Sequence, residues 1–116
     1  MYNTLSPFIN VVPLSKLRQG LSQYRRQVQK GKVIPVNYYK DRIGYLVPMA
    51  IAEKLEVASE DQEMGLIDFR DDLQSAWESL DAGVDRIWLT YHGERRMAFV
   101  STRIFSYEEG DDDENS

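Results

Sequence analysis

Two stretches of this chain decide the fold, LRQGLSQYRRQVQKG at residues 17–31 and FRDDLQSAWESLDAG at residues 69–83. In each stretch the apolar residues recur at helical spacing, which predicts an amphipathic helix. Each stretch also ends in a glycine, Gly31 or Gly83, the residue that most readily adopts the left-handed conformation found after helices. The first helix is rich in Lys and Arg and the second in Asp and Glu. The chain therefore contains one helical pattern twice, with opposite charge.

The similarity extends beyond the helices and indicates an internal repeat of about 40 residues. Sliding the sequence by 52 positions aligns the two helices, and one inserted residue near Val84 changes the offset to 53 for the residues that follow. The aligned pairs include Leu17 with Phe69, Arg18 with Arg70, Leu21 with Leu73, Gly31 with Gly83, Tyr38 with Tyr91, Arg42 with Arg95 and Leu46 with Phe99. We interpret the match as a duplication; the alternative is chance similarity between two generic helix-hairpin units.

Each helix is followed by a pattern typical of a β-hairpin. KVIPVNYY and RIGYLVP flank a predicted turn at Lys40 and Asp41, and RIWLTY and RRMAFVS flank one at His92 and Gly93. FINVV predicts a further strand before the first helix, and MAIAEKL and TRIFSYEE predict short helices after the hairpins. The expected fold class is α/β, of the α+β type, with two helix-plus-β-hairpin repeats that form a single-chain pseudo-dimer. One repeat alone would bury too little apolar surface.

The predicted organisation has two repeats, a linker and a tail. The first repeat covers residues 1–56, the linker 57–65, the second repeat 66–108 and an acidic disordered tail 109–116. The linker and the tail are predicted to be mobile because their composition is polar.

Composition and charge narrow the class of protein. The chain has 116 residues and no cysteine, which excludes disulfides and thiolate metal sites. It has neither a secretory signature nor a long apolar run, so we expect a cytoplasmic protein without a membrane partner. Residues 1–57 contain nine Lys or Arg and three Asp or Glu, a net charge of +6, whereas residues 58–116 contain five and sixteen, a net charge of −11. A basic half can bind phosphates, and an acidic half can bind a basic protein.

Short motifs in both repeats resemble the N-terminal domain of the Phd/YefM antitoxin family. They are KLR, KG and YLVP in the first repeat, and DFR, AG and TYHGERRMAFVS in the second. The resemblance implies a domain that dimerises, binds operator DNA as a dimer and neutralises a toxin through a separate C-terminal segment. Here a second copy of the domain replaces that segment, which suggests a built-in dimer. The family's usual arginine in the hairpin strand is Tyr38 in one copy and Tyr91 in the other.

The candidate DNA contacts are basic residues of both repeats. Arg18 and Arg70 match the helix-opening arginine of the family and would offer equivalent donors to two half-sites. Asp71 and Asp72 follow Arg70 directly, which favours a salt bridge there because carboxylates weaken the attraction to phosphate. The candidate DNA-binding set is Lys16, Arg18, Arg25, Lys40, Arg42, Arg70, His92 and Arg95.

Two functional hypotheses follow, and neither is enzymatic. His92 is the only histidine, so no metal centre, catalytic triad or cofactor is predicted. The first hypothesis is an antitoxin-like DNA-binding transcriptional regulator of a toxin-antitoxin type system, acting as a built-in dimer. The alternative is an interaction or inhibitor module whose acidic second repeat and tail bind a basic partner such as a toxin, a nuclease or a nucleic-acid-binding protein. Further association of pseudo-dimers stays open.

Overall fold

A mixed β-sheet with helices on both faces forms the fold, described for residues 11–105 in a computed structural model. The six strands are β1 Val12–Pro13, β2 Ile34–Tyr38, β3 Asp41–Pro48, β4 Gln62–Gly65, β5 Arg86–Tyr91 and β6 Glu94–Val100. The four helices of the described residues are α1 Leu14–Gln29, α2 Met49–Ala52, α3 Leu66–Asp71 and α4 Leu73–Asp81. This arrangement confirms the predicted α+β class.

The strands lie in the order β1-β2-β3-β6-β5-β4. The outer pairs, β1 with β2 and β4 with β5, are parallel, whereas the three inner pairs are antiparallel. At the centre β3 pairs with β6, and Leu46 lies opposite Phe99. Each hairpin therefore has a short parallel strand at its outer edge, and the two hairpins join through β3 and β6. The predicted strand FINVV overlaps β1 at Val12, and its earlier residues lie outside the described part except for Val11, which precedes the strand.

Helix α1 places an apolar stripe on the sheet. Leu17, Leu21 and Val28 are buried along it. The helix bends at Gly20, whose φ and ψ of −114° and 22° are not helical. After its end the chain turns at Gly31, with a φ of 101°, as the sequence predicts.

The second half has two helices where the sequence predicts one that runs to Gly83. Asp72 separates them with a φ and ψ of −139° and 61°. Its carboxylate accepts a hydrogen bond of 3.2 Å from the backbone N–H of Ser75 and so caps α4. Phe69 and Leu73 remain buried on either side of the break. The apolar periodicity therefore continues across the break and does not reveal it.

Two apolar cores cover the two faces of the sheet. The larger lies under α1, α3 and α4 and includes Leu17, Leu21, Ile34, Leu46, Phe69, Leu73, Leu80, Ile87, Leu89, Met97 and Phe99. The smaller lies on the opposite face and contains Val33, Tyr45, Val47, Ala52, Trp88, Ala98 and Val100. Both cores combine residues from the two halves of the chain, so neither half completes a core alone.

Part of the predicted linker is regular structure. Strand β4 pairs with β5, and its Met64 packs against the larger core. Upstream, the backbone N–H of Ala58 donates to the carboxylate of Asp85 at 3.0 Å, and the backbone N–H of Asp85 donates to the Ser59 hydroxyl at 2.9 Å. The structure thus differs from the mobile linker that the polar composition predicts, because a short parallel strand needs few apolar residues. The tail predicted at 109–116 lies outside the described residues.

Candidate functional site

The outward surface of α1 carries only basic and uncharged polar side chains. Its exposed residues are Ser15, Lys16, Arg18, Gln19, Ser22, Gln23, Arg26 and Gln29. Every one of these side chains can donate a hydrogen bond, and none is acidic. The surface of α1 therefore suits a negatively charged ligand.

The cationic side chains of the two halves differ in their partners. All five arginines after residue 57 pair with a carboxylate, in the ion pairs Arg70–Asp71, Arg86–Asp61, Arg95–Glu63, Arg96–Glu94 and Arg103–Asp85. Within residues 11–105, no carboxylate pairs with any of the nine first-half cations, which are Lys16, Arg18, Arg25, Arg26, Lys30, Lys32, Lys40, Arg42 and Lys54. Among the described residues, the positive charge of the first half is therefore not neutralised by ion pairs.

One groove, called the first groove below, lies between the start of α1, the end of β2 and the start of α4. It encloses about 640 Å³ and is lined by Pro13, Leu14, Ser15, Arg18, Gln19, Tyr38, Tyr39, Leu73 and Gln74. Arg18 is the one charged residue of this lining. The ring of Tyr38 lies 4.9 Å from that of Trp77 and 4.5 Å from that of Tyr39. The first groove thus combines a cation without a carboxylate partner with a series of aromatic rings.

A second groove lies between the middle of α1, the start of α3 and the end of β5. It encloses about 210 Å³ and is lined by Leu21, Ser22, Arg25, Leu66, Ile67, Arg70 and Tyr91. The guanidinium of Arg25 lies 5.3 Å from the centre of the Tyr91 ring, a cation–π contact. Arg70 donates to Asp71 at 3.0 Å, the salt bridge that the sequence favours. Both cations of the second groove therefore already contact groups of the protein.

The hairpin turns lie beside these grooves, at opposite ends of the sheet. The first turn consists of Tyr39 and Lys40, since Asp41 already belongs to β3, and the second consists of His92 and Gly93 as predicted. Tyr39 and His92 have positive φ angles of 56° and 54°. His92 and Lys40 are both exposed, and the ring of His92 lies 4.2 Å from the Tyr91 ring. Each turn therefore presents an aromatic ring at one end of the molecule.

The separation of the turns follows from the central ladder. Pro48 pairs with Met97, so the start of β3 lies seven positions before this pair and the start of β6 lies three positions beyond it. At roughly 3.3 Å per residue, ten regular positions would span about 33 Å, and the bulges at Ile43 and Arg96 shorten the actual span between the starts of β3 and β6.

Two of the predicted DNA contacts lie on the other face of the sheet. Arg42 donates to the side chain of Asn37 at 2.7 Å and to the Tyr45 hydroxyl at 2.9 Å, beside the smaller core. Arg95 pairs with Glu63 at 2.8 Å and lies 4.5 Å from the centre of the Trp88 ring. The predicted set is therefore divided among three places. Lys16, Arg18, Arg25 and Arg70 are on the helix layer, Lys40 and His92 on the turns, and Arg42 and Arg95 on the opposite face.

A polar network centred on the buried Arg86, which the sequence patterns do not reveal, joins the two halves. The guanidinium of Arg86 donates to the carbonyl oxygens of Ala52 and Leu55, at 2.8 Å and 3.1 Å, and to both carboxylate oxygens of Asp61. Trp88 donates its indole N–H to the same carboxylate at 3.1 Å. The hydrogen bonds from Arg86 lower the pKa of Asp61. Because its partners are all internal, this network has a structural role.

The aromatic part of the first groove also lies outside the predicted DNA-binding set. The sequence signal is the pair Tyr38 and Tyr39 directly before a turn, where large aromatic residues are unusual. The hydroxyl of Tyr39 raises the pKa of the Tyr38 phenol, through its charge and a hydrogen bond. The contribution of Trp77 depends on how α4 packs beside β2, and sequence spacing does not contain that information.

None of the helices within residues 11–105 combines the length and apolar character that crossing a membrane requires. Over the same residues, no group of three His, Asp or Glu side chains is placed to hold a metal ion.

The chain matches no family model, no curated protein and no solved structure. What the two grooves bind is therefore inferred from their own residues.

Proposed function

We propose that the chain is a duplicated antitoxin-like unit folded as a pseudo-dimer, and that it regulates transcription by binding duplex DNA mainly through its first half. The observation that carries the DNA proposal is the set of first-half cations without carboxylate partners, on α1 and beside the first groove. Phosphate contacts supply most of the affinity of a non-specific protein–DNA complex.

Local irregularities at matching positions support the duplication. The bend of α1 at Gly20 and the break between α3 and α4 at Asp72 are 52 positions apart. The β2–β3 ladder shifts after Val36 and the β5–β6 ladder after Leu89, 53 positions apart. A bend or bulge is not needed to make a helix or a hairpin. These matches therefore favour a duplication over chance similarity between generic units.

The register at the centre of the sheet supports an approximate twofold axis. Leu46 and Phe99 are equivalent in the repeat and lie opposite each other. One position away, Tyr45 lies opposite Val100 and Val47 lies opposite Ala98, as a twofold axis through the central pair requires. Such an axis relates the first groove to the second and one turn to the other. The two turns, at opposite ends of the central ladder, would then face two DNA half-sites.

The DNA contact is proposed to be unequal because the two grooves differ in charge. Helix α1 carries four Lys or Arg and no acid, whereas α3 and α4 together carry one Arg and four Asp or Glu, with Asp72 between them. The second groove is also smaller, and its Arg70 pairs with Asp71. The first half therefore supplies most of the attraction to DNA, and the second half helps to position the protein on it.

The test compares two arginines at matching positions. Fluorescence anisotropy measures the binding of a labelled random-sequence duplex at low and at moderate salt. Arg18→Ala is expected to weaken binding about tenfold and to reduce the salt slope by about 1, because one charged hydrogen bond to phosphate is lost. Arg70→Ala serves as the matched control and is expected to change the affinity less than about twofold, since Asp71 already neutralises it.

Absence of duplex binding at low salt would remove the proposal, and equal losses in both variants would remove the unequal contact. The second candidate is the acidic module, favoured by the exposed carboxylates of α3, of α4 and of the residue between them, Asp68, Asp71, Asp72, Glu78 and Asp81. If the duplex does not bind and a polyarginine peptide does, and if neutralising Asp71 and Asp72 to Asn abolishes peptide binding, this candidate replaces the first.

A further inference from the structure

Tyr38 and Tyr39 line the first groove, and Trp77 packs against Tyr38; a phosphate contact by Arg18 does not explain this aromatic series. Trp77, Tyr38 and Tyr39 follow one another outward, with ring centres 4.9 Å and then 4.5 Å apart. Trp77 packs against the larger core, whereas 83% of Tyr39 is exposed. The series therefore leads from the core to a ring that is open to a ligand.

Tyr39 keeps this exposed ring in an unfavourable backbone conformation. Its φ of 56° lies in the left-handed region, which favours Gly and Asn. The exposed ring contributes little to the core. A smaller residue such as Gly or Asn would adopt this backbone conformation with less strain. A strained and exposed aromatic residue of this kind indicates a role in binding.

The charges near the Tyr39 ring favour a negatively charged ligand. Arg18 lines the same groove, Lys40 follows Tyr39 in the chain, and neither pairs with a carboxylate in the described part. No acidic residue lines the groove. An aromatic ring beside two such cations fits a nucleotide, whose base can stack while its phosphate binds the cations, better than it fits an uncharged peptide.

We infer that Tyr39 stacks with an unpaired nucleobase of DNA, and that Arg18 and Lys40 bind the phosphates next to it. The inference rests on the proposed function, because it takes DNA as the partner. It adds that the ligand is a single strand or a duplex with a locally unpaired base. Stacking is tolerant of sequence because every base has a π face, so the site recognises the unpaired state rather than one base.

The test distinguishes the contribution of the base to binding from that of the phosphates. Fluorescence anisotropy compares an oligothymidine with an abasic oligonucleotide of the same length and charge. The wild-type protein is expected to bind the oligothymidine about five- to a hundredfold more tightly, the range for stacking one base on an aromatic side chain. Tyr39→Ala is expected to remove this preference and to bind both oligonucleotides with the wild-type affinity for the abasic one. Tyr39→Phe keeps the ring and should keep the preference.

Two further variants separate binding from folding. Glu53→Ala changes an exposed residue directly after α2, on the opposite face of the sheet, and should leave the base preference intact. Tyr39→Asn suits the left-handed backbone, so it should raise Tm while losing the preference. A role limited to folding would instead lower Tm in this variant.

Each result decides the inference. Equal binding of the two oligonucleotides by the wild-type protein, with the duplex still bound, would overturn the stacking site and leave the proposed function standing. No binding of any DNA at low salt would overturn both. Displacement of oligothymidine by an oligoproline peptide, without a base preference, would assign the groove to a peptide and overturn the inference.

Discussion

Arg70 has a carboxylate neighbour that Arg18 lacks, because Asp71 occupies the position that matches Gln19 in the first half. The carboxylate lies 3.0 Å from the Arg70 guanidinium. A single difference between the aligned segments therefore distinguishes Arg18 from Arg70, whose charge is partly neutralised. The same effect occurs at Arg95, which pairs with Glu63, whereas the matching Arg42 contacts only uncharged side chains.

Asp85 carries a prediction about acid stability at the residue scale. Its buried carboxylate accepts hydrogen bonds from the backbone N–H of Ala58 and from Arg103, and these lower its pKa. Asp85→Asn is expected to cost about 2 kcal/mol of unfolding free energy at pH 7, because charge-assisted hydrogen bonds are lost and the new amide group faces Arg103. Urea denaturation at a series of pH values measures the difference from wild type.

The sign of the pH effect follows from the lowered pKa. The unfolded chain binds a proton at Asp85 at a higher pH than the folded chain does, so this stabilisation is present above about pH 4 and is lost as the pH falls through the folded pKa. The gap between wild type and Asp85→Asn should therefore close in acid. Asp41→Asn is the control, since Asp41 is exposed and its side chain makes no hydrogen bond or ion pair within residues 11–105. A gap that stays constant down to pH 3 would contradict this account of Asp85.

At the scale of elements, Gly44 shows how closely β3, β6 and α4 pack. A Cβ atom on Gly44 would lie 2.8 Å from the carbonyl oxygen of Val100, 2.9 Å from the ring of Phe99 and 3.1 Å from the side chain of Leu80. Gly44→Ala is therefore expected to lower the unfolding free energy by about 1–3 kcal/mol through overpacking. Chemical denaturation measures the loss.

Gly65→Ala is the matched control for Gly44→Ala. The nearest atom to its added Cβ would be a carboxylate oxygen of Asp68 at 3.4 Å, an ordinary contact. Its effect should stay below about 1 kcal/mol, because the weaker helix cap is partly offset by a less flexible unfolded chain. Similar losses in the two variants would mean that the spacing between β3 and β6 can relax.

Much of the element order could be predicted from apolar spacing and turn residues. The helices, the hairpins and the closing glycines follow from these patterns, because local contacts produce them. The break at Asp72 and strand β4 could not be predicted in this way. The first leaves the apolar periodicity intact, and the second depends on a parallel pairing with β5, distant in sequence.

The candidate site was predictable only in part, for the same reason. The cations of α1 follow directly from the sequence, and Lys16 and Arg18 do lie on its outward surface. The sequence places Arg42 and Arg95 in the same candidate set by their charge. Which face of the sheet a strand residue occupies depends on register, and both hairpins contain a bulge that shifts it. The first groove needs the packing of α1 and α4 around Tyr38, which is tertiary information.

At the scale of the whole molecule, the two faces of the sheet are covered by different elements but share the same strands. Leu46 and Phe99 belong to the core under the long helices, while Tyr45 and Ala98, their neighbours in β3 and β6, belong to the opposite core. The network around Arg86 adds hydrogen bonds from the end of the first half to β5. Loss of the central β3–β6 pairing would therefore disrupt both cores together.

This arrangement predicts a single unfolding transition, which the two tryptophans can test. Trp77 packs against the core under the helices, and Trp88 belongs to the core on the other face. Trp88→Phe leaves Trp77 as the only fluorescent indole, and Trp77→Phe leaves Trp88. In each variant the fluorescence midpoint in urea should coincide with the midpoint from far-UV circular dichroism, with an m value of about 1–3 kcal/mol/M. If Trp77 instead reported a transition at lower urea than circular dichroism did, the helix layer would unfold independently, and the shared strands would not couple the two cores.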